Sequence, residues 1–203
     1  LSEGFYTVEI IDAISNCVYT ETYELVTQVN EVNLSTSSTP LTNCDAPNGS
    51  VFATVTGVPT TNLADYTYSW TDENGNSIGT TREIDGLAEG EYTVVVTDNT
   101  DTFCEVTETL VVSNDQVPPP LALEQIAPLT VCDITLANGA ARASVDGGFI
   151  GYTFEWFEGN SATGDVIHEG PDYSMMQDIT YTVRATHNVT QCSTVESITI
   201  TDD

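Results

Sequence analysis

Lysine is absent from this 203-residue chain, and only three arginines stand against 31 aspartates and glutamates, which gives a net charge of −28. Nucleic acids and anionic membrane surfaces are bound through clustered cations, so this charge balance excludes both classes of partner. It suits a chain in a salty medium, or one whose carboxylates bind divalent cations. Hydrophobic residues make up 40% of the chain, which is enough for folded cores, so the acidity does not indicate disorder.

Other familiar signals are missing as well. A helix that crosses a membrane needs about 18 consecutive apolar residues, and the sequence contains no such run. The sequence begins with neither a methionine nor a signal peptide, so we expect a mature segment or a fragment of a longer protein. No G-x-S-x-G, H-E-x-x-H or glycine-rich phosphate motif occurs, and we predict that the chain is not an enzyme. Of its two histidines, His168 is expected to face solvent and His187 to fill a turn.

What the chain does contain is an internal repeat. Each copy has a Tyr-Thr-Val tripeptide and, 11 or 12 residues later, a cysteine: Tyr6 and Cys17, Tyr92 and Cys104, Tyr181 and Cys192. The tyrosines lie 86 and 89 residues apart. In the last two copies an early cysteine, Cys44 or Cys132, precedes the late one by 60 residues. The repeat predicts an incomplete half-module over 1–33, a complete middle module over 34–116 and a complete, more divergent last module over 117–203.

Each module alternates apolar and polar residues with a period of two, which is typical of half-buried strands. In the middle module Tyr66, Tyr68 and Trp70 share one face, and Tyr92 begins a second alternating segment. Turn clusters separate these short segments, and no sustained helical period occurs. The sequence therefore predicts an all-β fold of tandem immunoglobulin-like antiparallel sandwiches, with about seven strands in each complete module.

The stretch Leu-Ala-Glu-Gly-Glu before Tyr92 resembles the tyrosine corner of immunoglobulin-like folds, in which the phenol returns to the backbone. The half-module repeats this stretch before Tyr6. The last module departs from it, with Met-Gln-Asp-Ile-Thr before Tyr181, so its corner is a weaker expectation.

The five cysteines contain no CxxC pair, which favours structural disulfides in an oxidising compartment. The equal spacing of early and late cysteines predicts the bridges Cys44–Cys104 and Cys132–Cys192, one within each complete module. Cys17 is then unpaired in this chain. Its partner lies either upstream or in a neighbouring subunit that completes the half-module by strand addition.

Between the complete modules, residues 113–120 end in three prolines. Such a segment favours an extended, stiff polyproline conformation, so we expect a spacer that keeps the modules in a rod. This is a sign of a stalk or fibre.

Calcium is the best candidate cofactor, because it takes oxygen ligands from carboxylates and side-chain amides. Asp72, Asn74 and Asn76 alternate oxygen donors around a glycine, although they lack the full EF-hand pattern. The alternative is a simple hairpin turn, since Asn-Gly is favoured there. A second arrangement is a site between modules that involves Asp98, Asp101 or Asp115.

One acidic position recurs four residues after each late cysteine, at Glu21, Glu108 and Glu196. Strict alternation would place it on the apolar face of the last strand. A bulge, an edge position or a contact between modules would resolve that conflict.

The middle module resembles the SprB-type repeat of cell-surface proteins in Bacteroidetes, which include gliding-motility adhesins. The resemblance rests on the Asn-Gly at Asn48, the Tyr-Thr-Tyr-Ser-Trp ending at Trp70, the Leu-Ala-Glu-Gly-Glu-Tyr-Thr-Val ending at Val94, and Cys104. It covers the whole middle module, most of the last module and the half-module. It implies export to the cell surface, commonly by the type-nine secretion route, and long adhesive filaments.

The leading interpretation is thus a structural repeat region of a secreted surface adhesin or filament, extending or presenting adhesive sites for attachment or gliding. Its expected partners are neighbouring modules or other filament subunits. The alternative is a calcium- or glycan-binding accessory module of a secreted protein. Exposed aromatic residues would favour glycan binding, and Phe52, Phe103 and Phe157 are the ones that alternation leaves outside a core.

Overall fold

The computed structural model describes residues 1–26, 33–57, 60–100 and 104–203, and it is built almost wholly from β-strands. The half-module contributes β1 (Gly4–Ile11) and β2 (Val18–Leu25). The strands of the middle module are β3 (Asn33–Thr39), β4 (Gly49–Thr56), β5 (Tyr66–Asp72), β6 (Ser77–Gly79), β7 (Glu83–Leu87), β8 (Gly90–Asp98) and β9 (Glu105–Val112). Those of the last module are β10 (Leu121–Ala127), β11 (Gly139–Val145), β12 (Tyr152–Glu158), β13 (His168–Glu169), β14 (Asp172–Met176), β15 (Thr180–His187) and β16 (Ser193–Thr199). Short 3₁₀ turns occupy Thr60–Asp65 and Ile134–Leu136.

The middle module is a sandwich of two antiparallel sheets. One sheet has the order β3-β4-β7 and the other β6-β5-β8-β9. Alternate residues of β4, β5 and β8 point into a single core, where Val51, Trp70, Val94 and Val96 have no exposed surface. This alternation is the pattern that the sequence predicts.

The last module repeats the same topology. Its sheets have the orders β10-β11-β14 and β13-β12-β15-β16. Its core contains Phe154, Trp156, Met176 and Val183, all 2% exposed or less. The predicted all-β fold of tandem immunoglobulin-like sandwiches is confirmed.

The tyrosine corner closes all three units, although with different donors. The Tyr6 hydroxyl donates to the Ser2 carbonyl at 2.6 Å, and the Tyr92 hydroxyl donates to the Ala88 carbonyl at 3.1 Å. In the last module the Tyr181 hydroxyl accepts from the backbone N–H of Gln177 at 2.9 Å. The last module therefore keeps the contact despite its divergent sequence, but the tyrosine hydroxyl accepts the hydrogen bond instead of donating it.

The half-module is a two-stranded hairpin with an apolar surface in solvent. Strands β1 and β2 pair from Gly4 with Leu25 to Ile11 with Val18. Phe5 is 73% exposed and Ile10 59% exposed. An isolated hairpin of this kind is marginally stable in water, so its apolar side chains are suited to packing against further strands.

Each complete module has two distinct ends. The "turn end" carries the turn between the last two strands, which leads to the late cysteine: in the middle module the Asp98 N–H donates to the Cys104 carbonyl. At the opposite "tail end" the last strand stops, and the segment that follows the first strand runs parallel to the residues just beyond it. There Leu41 forms a parallel bridge with Asn114, and Leu129 does the same with Asp202. Leu41 and Leu129 are both buried.

No helix in the described part of the chain has the length and apolar character needed to cross a membrane.

Candidate functional site

One disulfide joins the two complete modules, between Cys44 at the tail end of the middle module and Cys192 at the turn end of the last. The S–S distance is 2.00 Å, the Cα–Cα distance is 4.8 Å, and the bridge spans 148 residues of sequence. All five cysteines lie in the described ranges, and Cys17, Cys104 and Cys132 remain thiols. The predicted bridges Cys44–Cys104 and Cys132–Cys192 are therefore wrong.

The direction of the strands explains this correction. Cys104 precedes β9, whereas Cys44 follows Leu41, whose N–H donates to the carbonyl of Ser113 beyond the far end of β9. An eight-residue strand is about 25 Å long, and a disulfide needs Cα atoms within about 7 Å. In the last module β16 separates Cys192 from Cys132 in the same way. Early and late cysteines of one module thus occupy opposite ends, and only adjacent modules bring them together.

Polar contacts surround the disulfide. The Cys44 N–H donates to the Thr190 carbonyl at 2.8 Å. The Asn43 side-chain amide donates to the Val189 carbonyl at 3.4 Å. Cys192 itself has no exposed surface. The turn that ends in Cys192 is therefore held by one backbone and one side-chain hydrogen bond as well as by the covalent bond.

The linker is packed into this junction. The Gln116 side-chain amide donates to the Asn43 carbonyl at 2.5 Å, and the Asp115 N–H donates to the Leu41 carbonyl at 2.8 Å. Pro119 is buried, and the three prolines line a hollow with residues of the last module, Tyr152, His187 and Thr190. The linker therefore contacts both sandwiches, through Gln116 on the middle module and through the prolines on the last.

His187 shapes the turn that enters the junction, as the sequence predicts. Its Nδ1 atom accepts a hydrogen bond from the backbone N–H of Thr190 at 3.1 Å. The backbone N–H of His187 donates to the Cys192 carbonyl at 2.9 Å. The imidazole also meets the Tyr152 ring edge-on, with centroids 5.1 Å apart. His168 differs from its expected place in solvent, since it is half-buried and stacks on Tyr173 with centroids 4.6 Å apart.

The sequence did not single out Asn43, Gln116 or Thr190, although all three hold the junction. They lie in a linker and in turns, where no periodicity applies. The available signal was the repeat itself: cysteines equally spaced in successive modules are as compatible with pairing across a junction as within a module.

The predicted calcium residues form a self-contained hairpin turn. Asp72 Oδ1 accepts from the N–H groups of Asn74 and Asn76 at 2.9 and 2.8 Å, and its Oδ2 accepts from the Asn76 side-chain amide at 2.9 Å. These hydrogen bonds hold the pKa of Asp72 below its ordinary value, and the bond from the Asn76 side chain has the largest effect. Both carboxylate oxygens thus accept hydrogen bonds within the turn, and the nitrogen of the Asn76 amide faces Asp72, which is the arrangement of the simple hairpin turn that the sequence offers as the alternative.

Acidic side chains are not gathered elsewhere in the described ranges: no three His, Cys, Asp or Glu groups there lie close enough to share a metal ion. Asp98 accepts from the Thr100 N–H within its own turn at 2.9 Å. Asp101 lies outside the described residues. Calcium binding stays a prediction.

Of the aromatic residues considered for glycan binding, two lie in the described ranges, and neither is fully exposed. Phe157 is 2% exposed, so its place on a glycan platform is wrong. It pairs with Thr182, whose hydroxyl donates to the Gly159 carbonyl, and the Arg184 guanidinium lies 5.2 Å from its ring centroid. Phe52 is half-buried, and Phe103 lies outside the described residues.

Comparison with known proteins shows similarity of fold. No family model and no curated protein sequence matches the chain. Among solved structures, the BSP domain of a biofilm-associated protein is 14% identical with a TM-score of 0.27, covering 83% of this chain and 30% of that one. Sidekick-1 immunoglobulin domains 1–4 are 12% identical with a TM-score of 0.32, covering 99% and 58%. Domains 7, 8 and 9 of the S-layer protein SbsC are 12% identical with a TM-score of 0.32, covering 98% and 69%. The chain therefore spans less than two thirds of the first two of these structures.

Proposed function

We propose that this chain is a structural segment of an extracellular surface protein, an adhesin or filament in which tandem sandwiches form a stiff rod. The observation that carries the proposal is the junction, in which a disulfide, hydrogen bonds from Asn43 and Cys44 and a packed proline linker all fix one module on the next. An interface between freely moving domains would need none of these. The chain works by extension rather than by catalysis.

The disulfide supports an extracellular location, because such bonds persist in oxidising compartments and are rare in the cytosol. The charge of −28 supports a role in an extended assembly, since like charges along neighbouring modules disfavour collapse. The resemblance to SprB-type repeats supports attachment or gliding motility of a bacterium of the Bacteroidetes, with export by the type-nine route. Other filament subunits or surface glycans are the partners that this role implies.

Small-angle X-ray scattering on the native chain tests the rod. We expect a single extended particle whose maximum dimension is independent of salt. A Cys44→Ser/Cys192→Ser double variant should keep both sandwiches folded and show a broader distribution of inter-module distances, because only the hydrogen bonds and the linker then remain. Cys132→Ser is the matched control, because it removes a cysteine outside the junction and should leave the scattering curve unchanged.

A compact native particle would contradict the proposal. So would a double variant whose scattering matched the native curve, since the disulfide would then have no part in fixing the modules. Peptide mapping by mass spectrometry should first identify the Cys44–Cys192 link. Because the chain has only three sites for trypsin, proteases that cut at acidic residues are required.

A further inference from the structure

We propose that the junction recurs: Cys132, at the tail end of the last module, forms a disulfide with the late-cysteine turn of another module of this kind, and a second copy of this chain presents such a turn at Cys17. This inference rests on the proposed structural role and adds the partner. Its geometric basis is that both ends repeat the main hydrogen bonds of the two ends already joined by Cys44 and Cys192.

The tail end of the last module repeats that of the middle module. In the middle module the Asn48 side chain accepts from the Thr42 N–H at 2.9 Å and donates to the Thr42 hydroxyl at 2.9 Å. In the last module Asn138 makes the same pair of bonds to Thr130, at 3.0 and 2.7 Å. Cys44 and Cys132 each lie two residues after that threonine. Cys132 therefore has the backbone setting of a cysteine that is already bonded across a junction, and it is exposed.

The turn at Cys17 repeats the one that Cys192 brings to the junction. In the half-module the Asp12 N–H donates to the Cys17 carbonyl at 2.9 Å, and the Asn16 N–H donates to the Asp12 carbonyl at 2.8 Å. His187, Gln191 and Cys192 make the equivalent two bonds, both at 2.9 Å. Asn16 and Gln191 both adopt a positive φ, 52° and 56°.

The side-chain acceptor of the turn is also preserved. Asp12 Oδ1 accepts from the Ile14 and Ser15 N–H groups, both at 2.8 Å, where His187 Nδ1 accepts from the Thr190 N–H. Ser15 stands two residues before Cys17, as Thr190 stands two before Cys192. The Ser15 carbonyl is therefore the expected acceptor for the Cys132 N–H. One contact differs: Val131 replaces Asn43, so the new junction lacks the side-chain bond to the turn.

The same rule assigns a partner type to every free thiol. Cys17 and Cys104 are late cysteines and take the tail end of a preceding module, whereas Cys132 is an early cysteine and takes the turn end of a following one. This contact joins two different surfaces, so it is heterologous, and in the stiff rod proposed above it propagates from copy to copy into a linear assembly.

Bond formation requires an oxidant of the low-molecular-weight disulfide class. The Cys132 and Cys17 thiols each lose a proton and together give up two electrons, and a new S–S bond forms between their sulfur atoms. The small disulfide accepts the two electrons and two protons, and its own S–S bond breaks to give two small thiols.

The test uses the full chain with Cys104→Ser, so that Cys17 and Cys132 are the only free thiols. The protein is incubated with a glutathione redox buffer at physiological salt, which screens the repulsion between acidic copies. Cross-linked species are separated and their disulfides mapped by mass spectrometry. If docking by the Cys132 N–H guides pairing, the Cys17–Cys132 link should exceed either like pair by about tenfold relative to a statistical mixture.

Asp12→Ala removes the acceptor that shapes the turn and should return the ratio of links to the statistical mixture. Glu9→Ala makes the same charge change on β1 and should leave the excess intact. Statistical pairing in the parent chain, a predominance of Cys132–Cys132 links, or an equal response to both variants would overturn the proposal. Scattering by the uncross-linked chain tests the rod separately, so failure of the link leaves that result standing.

Discussion

Two buried tyrosines of the middle module differ in how their hydroxyls are satisfied. The Tyr92 hydroxyl donates to the Ala88 carbonyl at 3.1 Å and closes the tyrosine corner. The Tyr68 hydroxyl is buried, and no group among the described residues forms a hydrogen bond with it. At the equivalent position the last module carries Phe154, which packs in the core without a polar atom. The phenyl ring of Tyr68 thus stabilises the sandwich, whereas its hydroxyl opposes burial.

Substitution of each tyrosine by phenylalanine should therefore have opposite effects. Tyr68→Phe should leave the free energy of unfolding unchanged or raise it by about 1 kcal/mol, because a buried polar group without a partner is removed. Tyr92→Phe should lower it by about 1 kcal/mol, because a hydrogen bond is lost and the Ala88 carbonyl loses its donor. Urea unfolding of the oxidised chain measures both. Equal destabilisation by the two variants would contradict this account.

At the scale of the element, the last strand of each sandwich is an edge strand with an acid on its inner face. Glu108 in β9 pairs with Val94, and Glu196 in β16 pairs with Val183; both valines are fully buried. Cross-strand partners share a face, yet both glutamates are exposed, because these strands lie at the rims of their sheets. The edge position is thus the resolution of the conflict that the sequence posed. An inward-facing charge on an edge strand discourages pairing with another chain.

Glu108→Val should therefore promote edge-to-edge association. We expect a concentration-dependent increase in molar mass, measured by light scattering after size exclusion, with little change in the monomer's secondary structure. Thr107→Val is the control, since it adds a β-branched apolar residue to the exposed outer face of the same strand and leaves the carboxylate in place. Equal association by both variants would show that added hydrophobicity, and not the loss of the charge, is responsible.

The elements were more predictable from the sequence than the junction was. Period-two alternation located the buried faces of β5 and β8, because each side chain's direction follows from its position in the strand. The burial of Phe157 could not be predicted from alternation, because it depends on contacts between Thr182 and the turn at Gly159, which lie far apart along the chain. The cysteine pairing escaped because it depends on which end of a sandwich each cysteine occupies. That requires the order and direction of strands in the sheets, which spacing alone does not supply.

At the scale of the whole molecule, charge of one sign dominates. Among the described residues, two ion pairs use two of the three arginines: Arg142 with Asp172 at 2.6 Å, and Arg184 with Glu155 at 2.6 Å. The Arg142 guanidinium holds the pKa of Asp172 below its ordinary value. Both pairs are partly exposed, so each contributes little to stability. With a net charge of −28, repulsion among the remaining carboxylates opposes the compact state.

Salt should accordingly stabilise the chain. We expect Tm to rise by several degrees as sodium chloride increases from about 0.01 M to about 0.2 M, because the Debye length falls from about 30 Å to under 10 Å. Differential scanning calorimetry measures the shift.

Calcium chloride at matched ionic strength tests the predicted ion site at Asp72. The simple turn predicts the same rise with calcium chloride as with magnesium chloride, whereas a larger rise with calcium that Asp72→Asn abolishes would establish a calcium site.

The disulfide between Cys44 and Cys192 has a consequence for a chain held under tension. A force applied along the backbone enters the last module through the sulfur atoms and leaves along β16, so it bypasses the 148-residue span between the two cysteines. That span would lengthen to about 500 Å if it were pulled straight. The path that carries the force is therefore short and covalent, and strands β4 to β15, which lie within the bypassed span, are shielded from the pull. A tether built in this way transmits force at nearly constant length, and its modules need not resist unfolding one by one.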